Sequence, residues 1–206
     1  MSEKEVFGTM GYAQQAAVLF DQYKKFAAED SFDAVAEFFP AAAADILDVG
    51  AGTGQHAYWF ASLGHHVLAV EPVREFREPA SKVHQHDHLE FLDDSLPYLA
   101  NVLEQGQQFD LIIANAVWMH LDEERRRIGM STLASLLKPK GKIFLSLRHG
   151  PVPDGRQMFE VSGQETIDLA AENNLSLRHH SQNDSIQKQN RKMGVMWTKL
   201  VFEKNG

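Results

Sequence analysis

The sequence predicts an α/β fold: a doubly wound, mostly parallel sheet of seven strands with helices on both faces. Three observations point there. Short apolar runs alternate with helical stretches from Asp45 onward, the pattern of βαβ units. The first apolar run ends in Asp48-Val49-Gly50-Ala51-Gly52-Thr53-Gly54, a glycine turn that delivers a strand to a helix N-terminus. The last two expected strands are joined by a loop rather than a helix, which favours an antiparallel C-terminal edge hairpin.

Each element has its own justification. Residues 11–39 read as one or two helices, with Ala16, Phe20, Tyr23 and Ala27 at helical spacing. Ser31 is placed to cap a second short helix, Phe32 to Phe39, ended by Pro40. Strands are expected at 45–49, 66–71, 89–92, 109–114 and 142–148, each apolar enough to be covered on both faces. Helices are expected between them at 54–63, 73–83, 97–105 and 122–137. Asp122 is the expected N-cap of the last of these, with Glu123 and Glu124 favourable in its first turn and Lys138-Pro139-Lys140-Gly141 stopping it. Ser162-Gly163-Gln164-Glu165 matches a capping box and opens a helix to about Asn173. Strands near 175–180 and 194–203 complete the sheet, around a polar loop from Ser181 to Lys192.

With 206 residues and 44% apolar composition, the chain is expected to form one domain, 1–206. Within it, 1–43 is a helical lid, 44–150 a ligand-binding core, and 151–206 a helix and strand pair. Residues 151–158 are the candidate linker. The absence of cysteine excludes disulfides and thiolate metal sites and fits a cytoplasmic location. No apolar run approaches the roughly 20 residues of a membrane span, and no secretory signal is visible. The net charge of −8 disfavours nucleic acid as partner; Arg125-Arg126-Arg127 and Lys188 to Lys192 read as solvated surface. His84, His86 and His88 alternate, but their loop setting and lack of a fourth ligand argue against a metal site.

The glycine spacing carries the chemistry. Gly50 permits a sharp exit, Gly52 a close ligand approach and Gly54 the helix start. Dinucleotide sites favour G-x-G-x-x-G; here the third glycine comes one residue early and Asp48 precedes the first. An acid there suits an ammonium better than a phosphate. With Glu71 ending the run Val67-Leu68-Ala69-Val70, these residues describe a nucleoside-binding crevice.

This first motif resembles that of the class I S-adenosylmethionine-dependent methyltransferases, whose Rossmann-like fold the element order matches. Four more segments resemble the family in register: Val67 to Pro72, Phe91 to Pro97, Phe109 to Leu121, and Leu136 to Lys142. The resemblance implies S-adenosylmethionine as cofactor and S-adenosylhomocysteine as product. It implies cofactor contacts at Asp48, Gly50, Ala51, Gly52 and Gly54, ribose binding at Glu71 beside Pro72, and adenine recognition by Asp93 or Asp94 with Ser95 and Leu96. Asn115 and Ala116 fall at the reaction side. The two prolines that often follow this Asn in amino-base methyltransferases are missing, since Ala116-Val117-Trp118 stand there. A small-molecule acceptor is therefore expected, with Tyr12, Tyr23, Trp118 and Arg148 as candidate substrate contacts and Phe26 and Met119 beside them. His120 and His149 are the candidate proton acceptors. The competing readings are a non-catalytic cofactor-binding module and an enzyme with a protein or RNA acceptor. A nicotinamide oxidoreductase fails on the glycine spacing.

Overall fold

In the computed structural model, which describes residues 6–23 and 25–206, the expected sheet forms with seven strands in the order β3-β2-β1-β4-β5-β7-β6. The strands are β1 Asp45–Val49, β2 His66–Val70, β3 Leu89–Leu92, β4 Phe109–Ala114, β5 Leu137–His149, β6 Leu175–Asp184 and β7 Met196–Lys204. All neighbouring pairs from β3 to β5 are parallel, and β7 runs antiparallel to both β5 and β6. The C-terminal hairpin thus lies at the sheet edge, with β7 inserted between β5 and β6.

Period-two alternation sorts the strand residues between two apolar layers. Leu47, Val49, Ile112 and Ile143 face one layer. The helices α4 Ala100–Gln105, α5 Glu123–Leu136 and α6 Gly163–Glu172 contribute Val102, Met130, Leu133 and Leu169 to it. Ile46, Val67, Leu111 and Phe144 face the other, against Ala57, Phe60 and Ala61 of α2 Gln55–Ser62. Asp48 shares the parity of Ile46, so its carboxyl is carried into this second, apolar layer. Helix α3 Arg74–Val83 packs its Phe76 and Ala80 against Ala16 and Phe20 of α1 Tyr12–Tyr23.

The capping expectations hold. The Asp122 side chain accepts from the Arg125 amide at 2.9 Å and the Ser162 hydroxyl from the Glu165 amide at 3.0 Å. Arg126, although buried, is paired with Glu165 at 2.7 Å, joining α5 to α6.

Four local expectations change. Strand β5 begins at Leu137 rather than 142, so Lys138-Pro139-Lys140-Gly141, expected as the stop after the helix, lies within the strand. The helix expected from Phe32 to Phe39 is replaced by two 3₁₀ turns, Glu29–Ser31 and Ala36–Phe38. Phe32 and Val35 are fully buried under β1 and α2. Ser31 caps nothing; its hydroxyl lies 3.1 Å from His56 Nε2. The polar loop after 181 is shorter than expected, because β6 runs to Asp184 and α7 Lys188–Lys192 follows. Helix α4 starts at Ala100 rather than 97. Position 24, inside the expected N-terminal helix, lies outside the described residues, as do positions 1–5 of the expected lid. No helix among the described residues is long and apolar enough to cross a membrane.

Candidate functional site

The strand order reverses at the β1–β4 junction, where adjacent connections leave to opposite faces and open a crevice at the carboxyl ends of the strands. A cavity of about 730 Å³ occupies that place. Of the expected residues, Gly50, Ala51, Gly52, Glu71, Pro72, Ser95, Leu96, Asn115, Ala116, His120, Tyr12, Tyr23 and Arg148 line it, with Phe26 and Met119.

The glycine turn is tied back onto the sheet: the Gly50 and Ala51 amides both donate to the Val70 carbonyl, at 2.8 and 2.9 Å. Gly50, at φ +70°, is pressed so closely on Val117 that a Cβ would lie 2.5 Å from its Cγ2. Gly54 has φ +73°, and its Cβ would lie 2.7 Å from Cζ of Phe91. Its freedom serves the helix start and the packing of β3, and it does not line the cavity.

Glu71 closes the turn from the neighbouring strand. Its Oε2 accepts from the Gly52 amide and its Oε1 from the Val73 amide, both at 2.8 Å. Burial pushes its pKa up to about 7, against the pull of those two amides. Asp48 lies beneath the turn, 2% exposed, with Oδ2 lacking a partner. Burial first, and the Glu71 charge second, push its pKa up to about 7 as well. It does not line the cavity.

The acidic pair of the third motif is placed differently from the expectation, since neither residue lines the cavity. Asp94 Oδ1 accepts from the Ser95 amide and Oδ2 from the Asn101 and Val102 amides, so its carboxylate satisfies the first turn of α4. Asp93 is exposed and paired with Arg77 at 2.7 Å. Ser95 and Leu96 are the residues of this motif that reach the cavity.

At the end of β4, Ala116 takes φ +61°, a strained value for a residue with a side chain. Its amide donates to the Ser146 hydroxyl at 2.8 Å, and that hydroxyl donates to Asn115 Oδ1 at 2.6 Å. Asn115 is thereby oriented with its Nδ2 remaining as donor. Trp118 is fully buried in the core rather than in the cavity wall. His149 is also outside the cavity; its Nε2 lies 2.8 Å from Thr198 Oγ1 across the β5–β7 ladder.

His120 has a defined proton arrangement. Nδ1 donates to the Gln157 carbonyl at 2.8 Å, so Nε2 is the bare acceptor, and it receives the Tyr12 hydroxyl at 3.0 Å. Burial holds the imidazole below its ordinary pKa, and burial raises the Tyr12 phenol.

The segment read as a linker supplies part of the wall. Phe159 donates its amide to the Met119 carbonyl at 2.8 Å, fixing this strap over the end of β4. Pro153, Arg156 and Met158 line the cavity, and the Arg156 guanidinium lies 3.6 Å over the Tyr12 ring. Gly11, at φ +77°, lets α1 approach so closely that a Cβ there would meet the Gly155 carbonyl at 2.2 Å. Sequence reasoning missed Arg156, His56, Val73, Phe76, Trp197 and Lys199, all in the wall. Only Phe76 had a periodic signal, as the buried face of an expected helix. Around the alternating histidines, no group of three metal-ligating side chains occurs among the described residues.

A family model described as a methyltransferase domain matches residues 23–194. No curated protein matches the sequence significantly. Among solved structures, magnesium protoporphyrin IX methyltransferase from Synechocystis, with bound S-adenosylmethionine, superposes with TM-score 0.66 at 14% identity, covering 99% of this chain and 87% of that one. The 1,6-didemethyltoxoflavin-N1-methyltransferase of Burkholderia thailandensis gives 0.64 at 19% identity, over 100% and 94%. The N-methyltransferase NodS of Bradyrhizobium japonicum, in complex with S-adenosylhomocysteine, gives 0.64 at 14%, over 91% and 88%. At these identities the likeness is one of fold.

Proposed function

Because the chain belongs to the class I S-adenosylmethionine-dependent methyltransferase family, we propose that it transfers a methyl group from S-adenosylmethionine to a small-molecule acceptor in the cavity above the β1–β4 junction. One observation carries the reading: a ligand-accessible glycine turn and a buried carboxylate, Glu71, meet at the switch point of the sheet in a single cavity. The cavity volume of about 730 Å³ suits small molecules. The similar structures include enzymes named for a porphyrin and for a toxoflavin precursor, which agrees with such an acceptor.

The residues present fit the cofactor. Gly50 and Gly52 line the cavity with backbone that carries no Cβ. Each Glu71 oxygen already holds one amide and keeps a second lone pair for a ribose hydroxyl. Burial penalises the ionised forms of Asp48 and Glu71, and a cation nearby would offset that penalty. Pro72, Val73, Ser95 and Leu96 would flank the adenine, and Asn115 and Ala116 the methionine end. When bound, the cofactor supplies a methyl group already activated on a sulfonium.

The chain then mainly aligns donor and acceptor and excludes water. Helix α1 and the 151–158 strap provide the cover. Tyr12 and His120 are the pair placed to take a proton from an acceptor that must lose one: Gln157 sets the tautomer, and the bare Nε2 draws through the Tyr12 hydroxyl. His149, tied to Thr198 outside the cavity, is left with a structural role in this reading.

Calorimetric titration with S-adenosylmethionine and S-adenosylhomocysteine tests the proposal. Both are expected to bind, and Glu71→Ala to weaken binding by about 1–3 kcal/mol, the scale of losing a charged hydrogen-bond partner. Absence of binding by either ligand would sink it.

A further inference from the structure

We propose that Arg148 and Arg156 form a carboxylate-binding subsite in the cavity, filled by a carboxylate of the acceptor. The proposal rests on the methyl-transfer reading above and adds to it the charge that the site selects.

The two arginines reach the cavity from separate elements, the end of β5 and the strap after it. Neither has a carboxylate partner among the ion pairs of the described residues. Arg148 donates Nη1 to the Pro151 carbonyl at 2.8 Å and otherwise lies 4.0 Å from the Met158 sulfur. Arg156 donates Nη2 to the side-chain oxygen of Gln15 at 2.8 Å, and its Nη1 is buried with no partner. Neutral oxygens, a thioether and an aromatic face thus hold two guanidinium groups.

Both charges converge on the same place. After the dominant effect of burial, the fields of Arg148 and Arg156 are each felt at Tyr12 and at His120. The acids in the cavity wall do not neutralise them. Glu71 has both oxygens on backbone amides, and none of Asp30, Asp33 and Asp184 pairs with either arginine. A neutral ligand would leave two half-buried cations uncompensated, which is costly. A carboxylate compensates them and matches the planar guanidinium fork with two parallel hydrogen bonds.

The test uses the full chain and the variants Arg148→Gln, Arg156→Gln and Arg156→Lys, with circular dichroism confirming that each is folded. Calorimetry measures S-adenosylhomocysteine and 5′-methylthioadenosine, which lacks the amino-acid tail. Saturation-transfer NMR compares benzoate and indole-3-acetate with their amides, on protein alone and with S-adenosylhomocysteine bound. A loss by the Gln variants of about tenfold or more in affinity for S-adenosylhomocysteine, with 5′-methylthioadenosine changed less than about threefold, would assign the arginines to the cofactor tail and overturn the proposal. If the acceptor fills it, S-adenosylhomocysteine affinity is unchanged, the wild type prefers the carboxylates over their amides by about tenfold, and the Gln variants lose that preference. Arg156→Lys keeps the charge and should retain part of that preference. The proposal is overturned if the folded Gln variants match the wild type for both cofactor ligands and the wild type shows no carboxylate preference. If the wild type binds neither cofactor ligand, the methyl-transfer reading fails. The carboxylate panel on protein alone then decides the subsite by itself.

Discussion

Replacing Gly54 by alanine separates what the glycine turn does for folding from what it does for a ligand. Two costs add. The residue has φ +73°, and an L-residue in the left-handed region costs about 1–2 kcal/mol. The new methyl would also lie 2.7 Å from Phe91 Cζ, 3.0 Å from Cε1 and 3.3 Å from the Ala80 Cβ. Overpacking of this kind costs about 1–3 kcal/mol, so the total is about 2–5 kcal/mol. In a domain of this size that lowers Tm by about 4–20 °C. Thermal unfolding and urea titration would measure it. The crowding has an identified partner, so a cycle with Phe91→Ala should recover the steric part and leave the backbone part. The methyl would point at Phe91 and Ala80 and not into the cavity, so S-adenosylhomocysteine affinity of the folded variant should change by less than about threefold, under 1 kcal/mol. A destabilisation below about 1 kcal/mol, or no coupling to Phe91, would refute the reasoning.

Two further outcomes are expected. Asp48 has a folded pKa raised from 3.8 to about 7, so its contribution to stability is fully present below pH 3.8 and is lost as pH rises toward 7. The stability of Asp48→Asn relative to the wild type should therefore improve over that window, by up to about 1.4 kcal/mol per pH unit. Urea denaturation of both proteins at several pH values measures this; a constant difference would contradict it. Comparing the two cancels His56, whose pKa is lowered by burial to about 4 and acts in the opposite direction. For His120, nitrogen-15 NMR of labelled histidine should show the Nδ1–H tautomer and a titration below the ordinary 6.5. Tyr12→Phe should leave the tautomer unchanged. An Nε2–H tautomer, or titration above 6.5, would remove His120 as the resting proton acceptor.

The parts of the molecule legible in the sequence were those governed by local rules. Strand β1 and the glycine turn could be placed because apolar runs and glycines carry their conformational meaning residue by residue. The caps Asp122 and Ser162 were equally local, since each bonds an amide three positions on. Glu71 was found for the same reason: it stands where a strand ends. The Phe32 to Phe39 segment misled because Ser31 and Pro40 read as a cap and a stop, whereas burial of Phe32 and Val35 against the sheet and α2 breaks the segment into turns.

The sequence by itself therefore determined the α/β class, the seven-stranded sheet with its edge hairpin, and a glycine turn beside Glu71. Tertiary structure decided which of the neighbouring polar residues face the cavity. Asp93 and Asp94 are adjacent in a loop, yet one meets Arg77 and the other caps α4. His120 and His149 look alike on paper, yet one meets Tyr12 in the cavity and the other Thr198 in the sheet. Arg156, in a segment without periodicity, enters the site only because Gly11 lets α1 lie against the strap. The physical reason is range: propensity, capping and turn chemistry act over a few residues, while the partner that orients a carboxylate or an imidazole comes from a distant element.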